Sequence, residues 1–93
     1  MINKVISKYI LYRTTYQMLS VPVNAELLKF DLQVGEHGMN ICAWMLVDPT
    51  EEVKPVDTYM FMTGEEVKPN GLSHMGTVLS DNTRLVLHFF WRK

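Results

Sequence analysis

Apolar and polar residues alternate along most of this chain with the two-residue period of β-strands, and helical spacing is almost absent. In Arg84-Leu-Val-Leu-His-Phe-Phe-Trp91 the pattern is extreme, because both faces are apolar. Strand side chains alternate sides, so Leu85, Leu87, Phe89 and Trp91 point one way and Val86, His88 and Phe90 the other. Such a strand needs cover twice, from the domain core and from something else.

The same period, broken by turn residues, marks the other elements. Val5–Tyr12 and Tyr16–Val21 read as strands. Asn24-Ala-Glu-Leu-Leu-Lys-Phe30 is locally helix-like, but Leu28, Phe30, Leu32 and Val34 alternate, so a strand entered through a short turn after Pro22 is expected. Gly35-Glu-His-Gly38 joins Leu28–Val34 to Asn40–Val47 as a hairpin. Asp48–Pro55, with two prolines, reads as a loop. Asp57–Thr63 is the next strand and Gly64–Gly71 another loop. His74–Ser80 and Arg84–Trp91 then flank a tight turn at Asp81-Asn-Thr83, with His74 set near Phe90. The expected fold is all-β, a small antiparallel sandwich or barrel of about seven strands, in one domain over residues 1–93.

Ninety-three residues make a small domain with a limited core. Seven methionines and the doubly apolar last strand exceed what that core can hide, so a homo-oligomer is expected. No apolar stretch approaches the ~18–20 residues of a bilayer helix. The first residues lack the apolar run of a signal peptide. The single cysteine, Cys42, excludes an internal disulfide framework. A cytoplasmic location is therefore expected, with no membrane partner.

A net charge of −1 argues against a nucleic-acid polymer as partner. The charge is uneven, however. Asp48–Glu66 is acidic, whereas Lys4, Lys8 and Arg13 near one end and Arg84, Arg92 and Lys93 near the other are basic, and would form one patch if the ends meet. Glu51-Glu-Val-Lys-Pro55 recurs as Glu65-Glu-Val-Lys-Pro69, which reads as two similar acidic loops at one end of the sandwich.

No catalytic constellation is legible. There is no nucleophile elbow, no phosphate loop and no Cys–His spacing for zinc, so no enzyme activity, metal or cofactor is expected. The aromatics are more suggestive. Trp91 stands beside Arg92, and Tyr9 and Tyr12 stand beside Lys8 and Arg13. Arginine with an aromatic can hold a planar anion through charge and stacking, and the same pairing marks protein–protein hot spots. Arg13, Arg84, Trp91 and Arg92 are the expected ligand contacts. Trp91 is expected to be exposed, and His88 to be structural and hydrogen-bonded to backbone or to a facing subunit.

Five segments together resemble a family of small tailed-phage and prophage proteins of unknown function. They are Ala25–Gln33, Cys42-Ala-Trp-Met-Leu-Val-Asp-Pro49, Phe61-Met-Thr-Gly64, Met75-Gly-Thr-Val78 and Leu85-Val-Leu-His-Phe89, spread from Lys4 to Trp91. The Trp-x-x-Val-Asp-Pro and Gly-Thr-Val…Leu-Val-x-His elements are the distinctive ones. The resemblance implies a phage accessory protein in the host bacterial cytoplasm. It would inhibit a host defence by sequestering a small anionic, nucleotide-like signal. The alternatives are a protein-directed inhibitor that covers a host defence protein, or a minor virion component.

Overall fold

The computed structural model describes residues 3–79 and 85–93. The expected turn Asp81–Thr83, Ser80 and Arg84 lie outside the described residues. Among the described residues there are seven strands: β1 (Val5–Leu11), β2 (Tyr16–Pro22), β3 (Glu26–Gly35), β4 (Gly38–Val47), β5 (Val53–Met62), β6 (Ser73–Leu79) and β7 (Val86–Trp91). They form two antiparallel-paired sheets, one in the order β1-β4-β3 and one in the order β2-β5-β7-β6. The fold is thus a sandwich. No helix among the described residues is long and apolar enough to cross a membrane.

Alternation decides which side chains enter the core. From β4 it takes Ile41, Ala43, Met45 and Val47, and from β7 it takes Leu87, Phe89 and Trp91. Leu11, Leu19, Val21, Met75 and Val78 complete it from the neighbouring strands. Cys42 points to the opposite side of β4 yet is also sealed, at 0% exposure, in register with Ile10 and Asp31. Burial pushes its thiol pKa up.

Two connections depart from the expected pattern. First, β5 begins at Val53 and not at Asp57, so Val53-Lys54-Pro55 is strand, paired with β2. Proline is tolerated there because β7 pairs with β5 only from Thr58 onward, leaving the first half of β5 paired on one side. The two Glu-Glu-Val-Lys-Pro copies accordingly do not meet. Glu51 and Glu52 precede β5, whereas Glu65 turns the chain at its other end by accepting from the Met62 amide. Second, β5 and β6 flank β7 and run in the same direction, so residues 63–72 carry the chain back along the length of the sheet.

The β2–β3 turn comes where expected, after Pro22. Asn24 takes a left-handed backbone conformation there (φ 67°), which asparagine tolerates better than most side chains. The Val23 amide also donates to the Glu52 carbonyl at 2.8 Å, fixing this turn against the start of β5. The register of the last hairpin sets His74 opposite Phe90 as expected, but through an irregularity between His74 and Gly76, because Leu79 pairs with Val86 at the other end.

Candidate functional site

Because β7 stops at Trp91 while β5 runs on toward Val53, the sandwich is open at one end. The opening is a cleft of about 340 Å³, bounded by residues 21–25, 54–56 and 91–93. Its walls come from the apolar core register, with Val21, Ala25 and Val56 beside the indole of Trp91. Lys54 sits in register with the buried Val21, which sets it at the margin between core and solvent. Lys93 Nζ lies 5.9 Å from the centre of the Trp91 ring. The cleft is therefore lined by Lys54, Arg92 and Lys93 and by no acidic side chain.

The three cations differ in how free they are. Arg92 is heavily engaged: Nη1 donates to the Asn70 carbonyl at 2.8 Å and Nε lies 3.7 Å from Asp57 Oδ2. Asp57 also accepts from the Tyr16 hydroxyl at 2.7 Å, a bond that raises the Tyr16 pKa. This chain of contacts anchors the end of β7 to β2 and β5. Lys54 makes only a solvent-exposed pair with Glu52, 3.8 Å away, and such pairs hold weakly. Lys54 and Lys93 are thus less firmly engaged than Arg92.

Of the four residues expected to bind a ligand, the structure brings two together. Trp91 and Arg92 both line the cleft. Trp91, however, is 3% exposed and belongs to the core, so the expectation of an exposed stacking platform is corrected, although the residue lines the cleft. The alternation already placed it on the Leu85–Phe89 face, and that outweighs its closeness to Arg92. Arg13 lines a separate small depression of about 20 Å³ with Leu32, Val78 and Leu79, at the end of the sandwich where β1 finishes. The two basic ends of the chain therefore do not form one patch from Arg13 and Arg92. Arg84 lies outside the described residues. Lys54, which the sequence reads as part of a loop, and Lys93 also line the cleft and were not among the expected contacts.

The outer face of the β2-β5-β7-β6 sheet carries a second feature. Tyr16, Tyr59, Phe61, Phe90 and His74 form a continuous row of rings, with centroids 5.2, 6.3, 5.8 and 5.1 Å apart. From its His74 end runs a hydrogen-bond chain over β6 and β7 to Thr63, the residue after β5. His74 Nε2 lies 2.9 Å from Thr77 Oγ1, Thr77 Oγ1 lies 3.0 Å from His88 Nδ1, and His88 Nε2 lies 2.9 Å from Thr63 Oγ1. Since Thr77 has a single hydroxyl proton, at least one of its two histidine neighbours must supply another. His88 is hydrogen-bonded as expected, but to threonine side chains of the same chain and not to backbone or a facing subunit. Among the described residues no three histidine, cysteine or acidic side chains gather as a metal would require.

A family model described as a domain of unknown function, DUF7352, matches residues 2–93. No curated protein and no solved structure matches the chain.

Proposed function

The chain belongs to the DUF7352 family, a domain of unknown function, and from its end cleft we propose that it is a binding protein that captures a small anion with an apolar body. The observation that carries this reading is a cleft with apolar walls, two lysines at its margin and, among the described residues, no acidic side chain in its lining. At about 340 Å³ it falls near the lower end of the ~300–1,000 Å³ range of ligand pockets. That size suits one nucleotide-like molecule and not a polymer. Lys54 and Lys93 meet the phosphate, the base packs on Val21, Val56 and the Trp91 edge, and Arg92 holds the wall in place. In the setting that the resemblance to small phage proteins supplies, the ligand is a signal of host defence. The protein sequesters it in the bacterial cytoplasm without transforming it.

The test is heat release of small molecules from purified protein, followed by calorimetry against a panel of linear and cyclic nucleotides. Binding that weakens with salt and is lost in Lys54→Glu is the expected result. A protein that carries nothing and binds none of the panel ends this reading.

The row of rings on the outer sheet face favours a second reading, in which that face covers a host protein, since aromatic side chains dominate interface hot spots. Tyr59→Ala and Phe61→Ala would then abolish inhibition of the target while leaving the cleft intact.

A further inference from the structure

Each sheet has two edge strands, β1 and β3 in one and β2 and β6 in the other. An edge strand presents a row of unpaired amide and carbonyl groups, which template further pairing unless something spoils them. Three of these edges carry a spoiler. The ladder of β3 is irregular between Leu27 and Lys29, and that of β6 between His74 and Gly76. The third, β2, ends in Pro22, which has no amide to give.

The remaining edge, β1, has none of these devices. All seven of its residues pair with β4 without interruption, and Val-Ile-Ser-Lys-Tyr-Ile-Leu contains neither proline nor glycine. Its side chains invite a partner: Ile6 is 65% exposed, Ile10 47% and Val5 45%. A lysine in mid-strand normally guards an edge. Here Lys8 is drawn away, because its Nζ donates to Gln33 Oε1 at 2.7 Å, across β4 on the far strand of the sheet.

We infer that β1 is the seam along which two copies of this chain join, antiparallel about a two-fold axis at Lys8, so that the three-stranded sheet becomes six-stranded. The occupant is a second copy because β1 is self-complementary about that residue. Antiparallel pairing there sets Ile6 opposite Ile10 of the second copy, and Ile10 opposite its Ile6, on one face. Ser7 meets Tyr9 on the other face, and Val5 meets Leu11 at the ends. This is the isologous arrangement that a two-fold contact requires. The axis brings Lys8 toward its own counterpart, and like charges directly opposite are unfavourable. The bond to Gln33 carries each ammonium off the seam, which gives that bond a role beyond the single chain.

Sedimentation equilibrium over a dilution series tests this. The wild-type chain is expected to be a dimer, with Ile6→Lys/Ile10→Lys monomeric and unchanged in its far-ultraviolet dichroism, since both positions are exposed. Gln33→Ala is expected to release Lys8 onto the seam and raise the dimer dissociation constant about tenfold. A wild-type chain that stays monomeric at its highest soluble concentration overturns the proposal. So does a dimer that survives Ile6→Lys/Ile10→Lys, or one that Gln33→Ala leaves untouched.

Discussion

Phe30 and Gly76 compete for one volume between the sheets: a Cβ on Gly76 would stand 2.6 Å from both Cβ and Cγ of Phe30. The Phe30 ring in turn rests on Phe89, with centroids 5.2 Å apart, so β3 reaches over β6 to touch β7. Gly76→Ala is therefore expected to destabilise the fold by about 1–3 kcal/mol, the range for overpacking a filled core. Urea denaturation measures it. Removing Cγ and the ring in Gly76→Ala/Phe30→Ala should recover part of the loss, giving a non-additive double-mutant cycle. Strict additivity would show that the clash is relieved elsewhere.

Trp91 and His88 sit on opposite faces of β7, and the buried one should matter more for stability. Trp91→Ala is expected to cost about 3–5 kcal/mol, a large share of a small domain's total. His88→Ala strips a partner from both Thr63 and Thr77 and should cost roughly 1–3 kcal/mol, at about 0.5–1.5 for each bond. Thermal melts of the two variants rank them. The opposite ranking would mean that the Trp91 ring contributes little to the core.

Asp48 should make the fold sensitive to acid. Its Oδ1 accepts from the Thr50 amide at 2.9 Å and from the Thr50 hydroxyl at 2.7 Å, and these bonds hold its carboxyl below the usual carboxylate range. A depressed folded-state pKa contributes stability above the unfolded value, and that contribution fades as pH falls through the folded value. Thr50→Val deletes the hydroxyl donor, so the acid midpoint of unfolding should move upward. Tryptophan fluorescence followed through an acid titration reads the shift, and an unmoved midpoint would count against the coupling.

Lys54→Glu separates recognition from folding. The side chain is 61% exposed and its pair with Glu52 is a surface one, so stability should change by no more than about 0.5 kcal/mol. Anion binding should nonetheless disappear, because the substitution puts an acid into a cleft lined by none. Calorimetry and a melting curve on the same sample distinguish this from simple unfolding.

The strands were legible where the period-two pattern was local, as in Asn40–Val47, whereas His74 reaches Phe90 only through an irregularity in β6 that the pattern does not show. Val53–Pro55 misled because proline argues against a strand, and only the early end of β7 explains why one is allowed there. For Trp91 the alternation pointed to the core while its neighbour Arg92 suggested the surface, and packing settled it in favour of the alternation. The cleft was not legible at all. It arises from the unequal reach of β5 and β7, and from a turn at residues 21–25 that is distant in sequence from both. Nor could the spacing of Arg13 and Arg92 along the chain reveal that they finish at opposite ends of the sandwich.

Cys42 gives the molecule a built-in clock. Its sulfur is sealed on the outer side of the central strand of the β1-β4-β3 sheet and its thiolate is disfavoured, so an alkylating reagent must wait for the neighbouring strands and side chains to move aside. Labelling rates on a Trp44→Phe chain would thus time the loosening of one layer while the fluorescence of Trp91, free of the Trp44 signal, follows the other. Two layers that part together would behave as one cooperative unit; two clocks running apart would expose which sheet lets go first.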